Sequence, residues 1–218
     1  MAGDDHHLLR LRGSVRERTT IPVSAVPGRD FSLKNKGQRK QFDFYETPYS
    51  MTRQLLAVET FPSHILEPAC GNGAIVRILK WNDHLVTAYD KETDFLKETR
   101  SFPAIVTNPP FSLSFEFIQR AKAVAEVKFA FLMPLSYLHG NRRYVSGLYT
   151  EPTYPLARLH VFTMSPVLGE PLRIDGKFTS GMVHYAWYIW ERGHVGPPTL
   201  GWINNYDYVI HEGDDDVL

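Results

Sequence analysis

The chain has 218 residues, 43% of them apolar and 22% charged, which fits one globular domain with an ordinary hydrophobic core. Basic and acidic residues number 24 each, so the net charge is zero, and a single cysteine, Cys70, excludes an intramolecular disulfide. No apolar run approaches the roughly 20 residues that a membrane span needs, and the N-terminus shows no signal-peptide core. We therefore expect a cytoplasmic protein that does not contact a membrane.

Charge is distributed unevenly along the chain. Residues 1–40 carry nine basic side chains, including Arg39 and Lys40, against four acidic ones. We interpret residues 1–41 as a basic, flexible arm, which either neutralises nucleic-acid phosphates or is a solvated tail without a partner. Residues 42–205 are then predicted to form one folded domain, and residues 206–218 an acidic tail.

Predicted strands and helices alternate through the folded part. Thr47 and Pro48 are typical of the N-cap and first position of a helix. Further helices are predicted from Ala74 and on the face shared by Phe115 and Ala125. Buried strands are predicted at residues 64–66, 85–89, 104–107, 127–133, 157–162 and 183–190. This order predicts an α/β domain with a mostly parallel sheet, in which the last two strands form an antiparallel hairpin at the edge.

A glycine-containing turn follows the first predicted strand. The segment EPACGNG at 67–73 lies directly before a predicted helix. Its two glycines, Gly71 and Gly73, permit a tight turn and a close approach of a ligand to the backbone. Asp90 ends the next strand, 19 residues after Gly71, where a carboxylate can accept hydrogen bonds from a ribose. A plain turn and a surface aspartate are the alternatives.

A rigid corner is predicted where the third strand ends, at Asn108-Pro109-Pro110-Phe111. Two prolines cannot extend a central strand, so the chain leaves the sheet there. The Asn108 amide oxygen and the Pro109 carbonyl can accept both hydrogens of a planar amine, and the Phe111 ring can stack on it. A proline-rich turn with a core phenylalanine is the alternative.

Three motifs occur in a consistent order, each at the boundary of a predicted element: YETP at 45–48, EPACGNG at 67–73 and NPPF at 108–111. With them the chain resembles the class I amino-methyltransferases, which have a Rossmann-like fold and use S-adenosyl-L-methionine to methylate adenine or cytosine amines in DNA. It is most similar to the small phage and prophage DNA adenine methyltransferases, which implies a bacterial host cytoplasm.

The resemblance implies a role for each motif residue. The expected cofactor contacts are Tyr45, Thr47, Pro48, Glu67, Ala69, Gly71, Gly73, Asp90, Asp94, Phe95 and Asn108. The expected catalytic residues are Asn108, Pro109, Pro110 and Phe111. One departure from the family is that only three residues separate Asp90 from Asp94, where many relatives have a helix.

The expected activity is methyl transfer to the N6 amine of adenine in DNA, on a base that is flipped out or single-stranded. Alternatives are an RNA adenine, a cytosine N4 amine in DNA, a protein glutamine, and a nucleic-acid-binding module with an inactive cofactor fold. His139, Arg142 and Arg143 are expected either to join Arg39 and Lys40 in contacting nucleic acid or to be solvated. No histidine has the spacing of a zinc site, so no metal is expected, and the sequence predicts no particular oligomeric state.

Overall fold

A computed structural model describes residues 46–90, 94–164, 168 and 181–204. The expectations for the basic arm at 1–41, with Arg39 and Lys40, lie outside the described residues, as do those for Tyr45 and for the acidic tail at 206–218. Within the described residues, no helix is long and apolar enough to cross a lipid bilayer.

The described residues contain four α-helices and seven strands. The helices are α1 (Tyr49–Val58), α2 (Ala74–Trp81), α3 (Ser114–Val124) and α4 (Asn141–Val145). The strands are β1 (His64–Glu67), β2 (Leu85–Ala88), β3 (Phe102–Thr107), β4 (Ala125–Pro134), β5 (Leu156–Phe162), β6 (Tyr185–Glu191) and β7 (Thr199–Ile203). Each predicted strand is therefore present, with bounds that differ by one or two residues.

All seven strands form one sheet in the order β2-β1-β3-β4-β6-β5-β7. Neighbouring strands are parallel except at β6, which runs antiparallel to both β4 and β5. The mostly parallel α/β fold is thus confirmed, but the expected position of the antiparallel strand, at the edge, is wrong. Residues 185–190 are all buried, and an apolar run with no alternation is typical of an interior strand. The edge is formed by β7, which the sequence did not predict.

Helices cover both faces of this sheet. On one face, α1 and α2 bury Met51 and Ile75. On the other face, α3 buries Phe117 and Ile118. The Trp187 indole N–H of β6 donates to the Met51 carbonyl at 3.0 Å, which ties α1 to the middle of the sheet. The result is the three-layer arrangement expected when helices connect parallel strands.

The carboxyl ends of the parallel strands meet at one edge of the sheet. Leu66 of β1 pairs with Thr87 of β2 and with Ile105 of β3. Thr107, the last residue of β3, pairs with Phe131 of β4. The segments that follow these four strands therefore emerge side by side, which is where open α/β sheets bind their ligands.

Candidate active site

The turn after β1 depends on two glycines in the left-handed region. Gly71 has φ 48° and Gly73, the N-cap of α2, has φ 84°. The Cys70 N–H donates to the Tyr89 carbonyl at 2.8 Å, and the Gly73 N–H donates to the Cys70 carbonyl at 2.7 Å. A side chain at Gly73 would have open space around it but a strained backbone, so the conformation explains the glycine.

The Glu67 carboxyl lies beneath this turn and is fully buried. Its Oε1 accepts hydrogen bonds from the Ala69 N–H at 3.0 Å and from the Thr107 hydroxyl at 2.7 Å. Among the described residues, Oε2 has no hydrogen-bond partner. Burial raises the pKa of Glu67 to about 8, although the two hydrogen bonds act in the opposite direction. The carboxyl is therefore mostly protonated at neutral pH.

The NPPF corner begins directly after Thr107. Pro109 is buried, and the chain then turns through a short 3₁₀ helix, Phe111–Leu113, into α3. The Asn108 amide nitrogen donates to the Thr47 hydroxyl at 3.0 Å. The Phe111 ring is partly exposed, and its centroid lies 6.1 Å from that of Tyr185.

These contacts bring the sequence-predicted motifs together. One carboxyl oxygen of Glu67 accepts from both the glycine turn and the strand that ends in the NPPF corner. Thr47, directly before the N-cap of α1, reaches the same corner through Asn108. Three segments that are distant in the sequence thus form one site. The prediction that Thr47 is the N-cap of α1 is wrong. The helix begins at Tyr49, one residue later than predicted, and its N-cap is Pro48.

Asp90 lies close to the glycine turn. It is exposed and follows β2 at the same edge of the sheet. Burial raises the pKa of the Cys70 thiol, and the nearby carboxylates of Glu67 and Asp90 raise it further. The position is compatible with the ribose contact that the resemblance implies, which stays a prediction.

Asp94 and Phe95 both contact groups of the protein itself. The Asp94 carboxylate accepts from the Leu96 N–H and pairs with Lys97, both at 3.0 Å. Phe95 is only 2% exposed, and its ring centroid lies 5.0 Å from that of Phe117. A ring with so little exposed surface could stack on a base only if its segment moved. The cofactor contacts that the resemblance implies for Asp94 and Phe95 therefore stay predictions.

The three basic residues after β4 differ in their surroundings. His139 is exposed. The Arg142 guanidinium is also exposed, lies 4.5 Å above the Phe115 ring centroid and is 3.8 Å from a Glu116 carboxylate oxygen. Arg143 is directed inward, with its guanidinium 4.3 Å from the Tyr137 ring centroid and donating to the His139 carbonyl. Arg142 and His139 are thus accessible to a ligand, whereas Arg143 holds its own loop in place.

Sequence reasoning missed one residue of the site, Thr107. Its side chain is fully buried, and its hydroxyl links β3 to Glu67. A hydroxyl at the end of a buried strand, directly before the NPPF motif, was the available indication. Among the described residues, no group of three or more histidine, cysteine, aspartate or glutamate side chains could hold a metal ion.

The sheet order, the single reversed strand and the glycine turn after β1 define the class I S-adenosylmethionine-dependent methyltransferase fold. No protein-family model matches the sequence, and no curated protein matches it. The similarity is to solved structures. A candidate class I S-adenosylmethionine-dependent methyltransferase from Listeria monocytogenes superposes with a TM-score of 0.53 and 13% identity, covering 76% of this chain and 68% of that one.

Two other similar structures are a restriction-enzyme subunit and an RNA methyltransferase. One is a modification subunit of a candidate type I restriction enzyme from Vibrio vulnificus, with a TM-score of 0.50 and 13% identity, covering 72% of this chain. The match spans only 45% of that subunit. The other is a candidate RNA methyltransferase from Pyrococcus horikoshii, with a TM-score of 0.50 and 10% identity, covering 70% of this chain and 88% of that one. At such identities the likeness shows the fold alone.

Proposed function

We propose that this protein is an S-adenosylmethionine-dependent methyltransferase that methylates the N6 amine of adenine in DNA. The observation that carries the proposal is the shared contact at Glu67. Its Oε1 accepts from the Ala69 N–H of the glycine turn and from Thr107, the residue before Asn108. A ligand bound against the turn and an amine held at the corner would therefore be neighbours, as direct methyl transfer requires.

The residues of the turn fit the cofactor. The Glu67 carboxyl is buried, and among the described residues it has no basic partner and its Oε2 has no hydrogen bond. Burying such a group is unfavourable unless a ligand supplies a donor. The methionine ammonium of the cofactor is a suitable donor. Gly71 and Gly73 would pass beneath that end of the cofactor, and Asp90 would accept hydrogen bonds from its ribose hydroxyls.

The corner is suited to a planar amine. Adenine N6 is a poor nucleophile because its lone pair is delocalised into the ring. Hydrogen bonds from its two hydrogens to the Asn108 amide oxygen and the Pro109 carbonyl would favour a pyramidal nitrogen and localise the lone pair. The Phe111 ring is partly exposed, as a ring that stacks on a base must be.

Positioning and dipole stabilisation account for most of the catalysis. When bound, S-adenosylmethionine supplies an electrophilic methyl group on a sulfonium. The corner would hold the amine for attack on that methyl group, so that an N–C bond forms as the S–C bond breaks and S-adenosylhomocysteine leaves. The cationic amine would then lose a proton to water. No general base is needed before the attack, so the site requires no histidine–carboxylate pair.

The proposal of DNA as the substrate rests on the resemblance of the motifs. An adenine within a duplex cannot reach a corner at the edge of a sheet, so the base must be flipped out or already unpaired. The exposed Arg142 and His139 follow β4 at the same edge and could contact the phosphates beside the target. An adenine in RNA offers the same amine, so the two polymers must be compared directly.

The test is incubation with plasmid DNA or with RNA in the presence of isotope-labelled cofactor, followed by digestion to nucleosides and mass spectrometry. We expect labelled N6-methyladenine in DNA. Label only in RNA, or N4-methylcytosine in DNA, would contradict the proposed substrate but not the chemistry. Absence of label from both polymers, with the cofactor shown to bind by calorimetry, would contradict the proposed activity.

A further inference from the structure

Thr47 has a hydroxyl in an unusual position for a residue that precedes a helix. It lies directly before Pro48, the N-cap of α1, and α1 has no side-chain cap. Thr47 is only 5% exposed. Its hydroxyl accepts a hydrogen bond from the Asn108 amide nitrogen at 3.0 Å, across 61 positions of sequence. The hydroxyl thus contacts the corner and does not serve the helix.

This bond matters because the two ends of an amide have opposite hydrogen-bonding character. The NH₂ group only donates and the oxygen only accepts, and both are fixed in one plane. A target amine needs the oxygen, whereas an amide turned by 180° would present donors to another donor. An acceptor for the amide nitrogen therefore stabilises the orientation in which the oxygen is available to the substrate.

We propose that Thr47 is a positioning residue, which holds the Asn108 amide so that its oxygen accepts from the target amine. The inference rests on the proposed function of the corner. It gives Thr47 a role different from the cofactor contact that the resemblance implies. The backbone before Asn108 is held separately, by the bond from Thr107 to Glu67, so losing the Thr47 hydroxyl removes a contact of the Asn108 side chain and leaves that bond in place.

The two roles of Thr47 predict different kinetic changes. A positioning role affects the methyl-transfer step, so kcat falls while the affinity for the cofactor stays the same. A cofactor contact affects the dissociation constant of the cofactor instead. Thr47→Val keeps the shape of the side chain and removes the hydroxyl, whereas Thr47→Ser keeps the hydroxyl.

The chain offers a matched control, a second buried threonine five residues further on. Thr52 is fully buried in α1, and among the described residues its hydroxyl has no hydrogen-bond partner. Thr52→Val makes the same chemical change close by in the sequence without removing a hydrogen bond seen among the described residues. It should fold and leave kcat unchanged.

The experiment compares kcat on adenine-containing DNA with the cofactor dissociation constant from calorimetry. For Thr47→Val we expect kcat to fall by about 10- to 100-fold, because a small misplacement of a reacting group is costly, with a change of less than about twofold in cofactor affinity. Thr47→Ser should recover most of the rate. The inference is overturned if Thr47→Val keeps the wild-type kcat, or if its main effect is weaker cofactor binding.

A second measurement does not depend on activity. The midpoints of thermal unfolding are compared for Thr47→Val, Asn108→Ala and the double variant. If the two side chains bond, the loss in the double variant should be smaller than the sum of the single losses. Additive losses would overturn the inference even in an active enzyme. A wild-type protein that methylates no nucleic acid would instead contradict the proposed function.

Discussion

Two glutamates buried in the same domain have opposite properties, and they lie at opposite ends of the sheet. Glu59 follows α1 and contacts the basic side chains of Lys128 at 3.2 Å, His160 at 2.9 Å and Arg158. Burial alone would raise the pKa of Glu59, but the hydrogen bonds from His160 and Arg158 and the charge of Lys128 lower it to about 2. Among the described residues, Glu67 accepts only from neutral donors, and burial raises its pKa to about 8.

The difference follows mainly from their partners. Glu59 is 7% exposed and Glu67 is fully buried, so both carboxyls have lost most of their contact with water. Lys128 and Arg158 lie near the amino ends of β4 and β5, whereas Glu67 ends β1. A charge network holds the layers together at one end of the sheet. At the other end, a carboxyl without a cation is typical of a site that binds a ligand.

The largest effect on stability is expected at the amino ends of the strands. Glu59→Gln removes the buried negative charge of the network and leaves Lys128 and Arg158 with the partly exposed Glu191 as their carboxylate partner. Breaking a buried ion pair by removing one member costs about 3–5 kcal/mol. Urea denaturation should therefore show a loss of about that size in the free energy of unfolding.

Glu191 is the control for this change. It contacts Arg158 and Lys128 as well, but its side chain is 30% exposed, compared with 4% for Glu59. Glu191→Gln should cost clearly less, because water can replace part of the lost interaction. Equal losses in the two variants would show that burial does not set the strength of the network.

At the carboxyl ends of the strands, the next effect is on rate. Asn108→Ala removes one of the two proposed acceptors for the target amine. Losing one preorganised polar contact to the transition state typically costs about 100- to 1,000-fold in kcat. We expect a loss of that size, with cofactor affinity little changed. A parallel loss of cofactor affinity would contradict the assignment of Asn108 to the target amine.

The two glutamates should also give opposite dependences of stability on pH. The pKa of Glu67 is 4.5 when unfolded and about 8 when folded. Between these values the unfolded state has lost its proton and the folded state has kept it. Stability from the neutral form is therefore complete below 4.5 and is lost as the pH rises towards 8. Glu59 contributes stability above 4.5, which is lost as the pH falls towards 2.

Urea denaturation across this pH range separates the two contributions. Glu67→Gln should remove the decline between pH 4.5 and about 8, an effect on the order of a few kcal/mol. Glu59→Gln should keep that decline and weaken the dependence below pH 4.5, to which Glu98 and Glu151 also contribute because their pKa values are lowered as well. If Glu67→Gln keeps the wild-type decline, another group is responsible for it.

Cofactor binding gives a second test of the protonation of the Glu67 carboxyl. If Glu67 receives the cofactor's ammonium, the positive charge should favour ionisation, so binding at neutral pH should release a proton. Calorimetry in two buffers with different ionisation enthalpies would then give different apparent enthalpies for the wild type. The difference should vanish in Glu67→Gln.

The sequence predicted that the two motifs lie together because they follow adjacent parallel strands. EPACGNG at 67–73 and NPPF at 108–111 each follow a strand, and the carboxyl ends of parallel strands share an edge. Their proximity needs only the strand order. The bond between Thr47 and Asn108 was not predictable in this way, because it depends on how α1 docks on the sheet.

The charge network was equally hidden from the sequence. Lys128 and His160 follow Glu59 by 69 and 101 residues and belong to strands that are not neighbours in the sheet. No local pattern relates residues so far apart. The position of β6 had a local indication, since residues 185–190 form an unbroken apolar run, but the absence of a helix before it favoured a hairpin at the edge.

The smallest predicted effect concerns a polar side chain between the two ends of the sheet. Gln54 of α1 is 1% exposed, and among the described residues neither its amide nitrogen nor its amide oxygen has a hydrogen-bond partner. It has neither the cations of Glu59 nor a place in the corner with Asn108. A buried polar group without partners costs about 1–3 kcal/mol. Methionine has a volume similar to that of glutamine but no polar group that needs a hydrogen bond. Gln54→Met should therefore raise the unfolding free energy by about 1 kcal/mol, or the midpoint of thermal unfolding by about 2–4 °C. A loss of stability would mean that the amide has a partner in solution, and an unchanged kcat would place Gln54 outside the site.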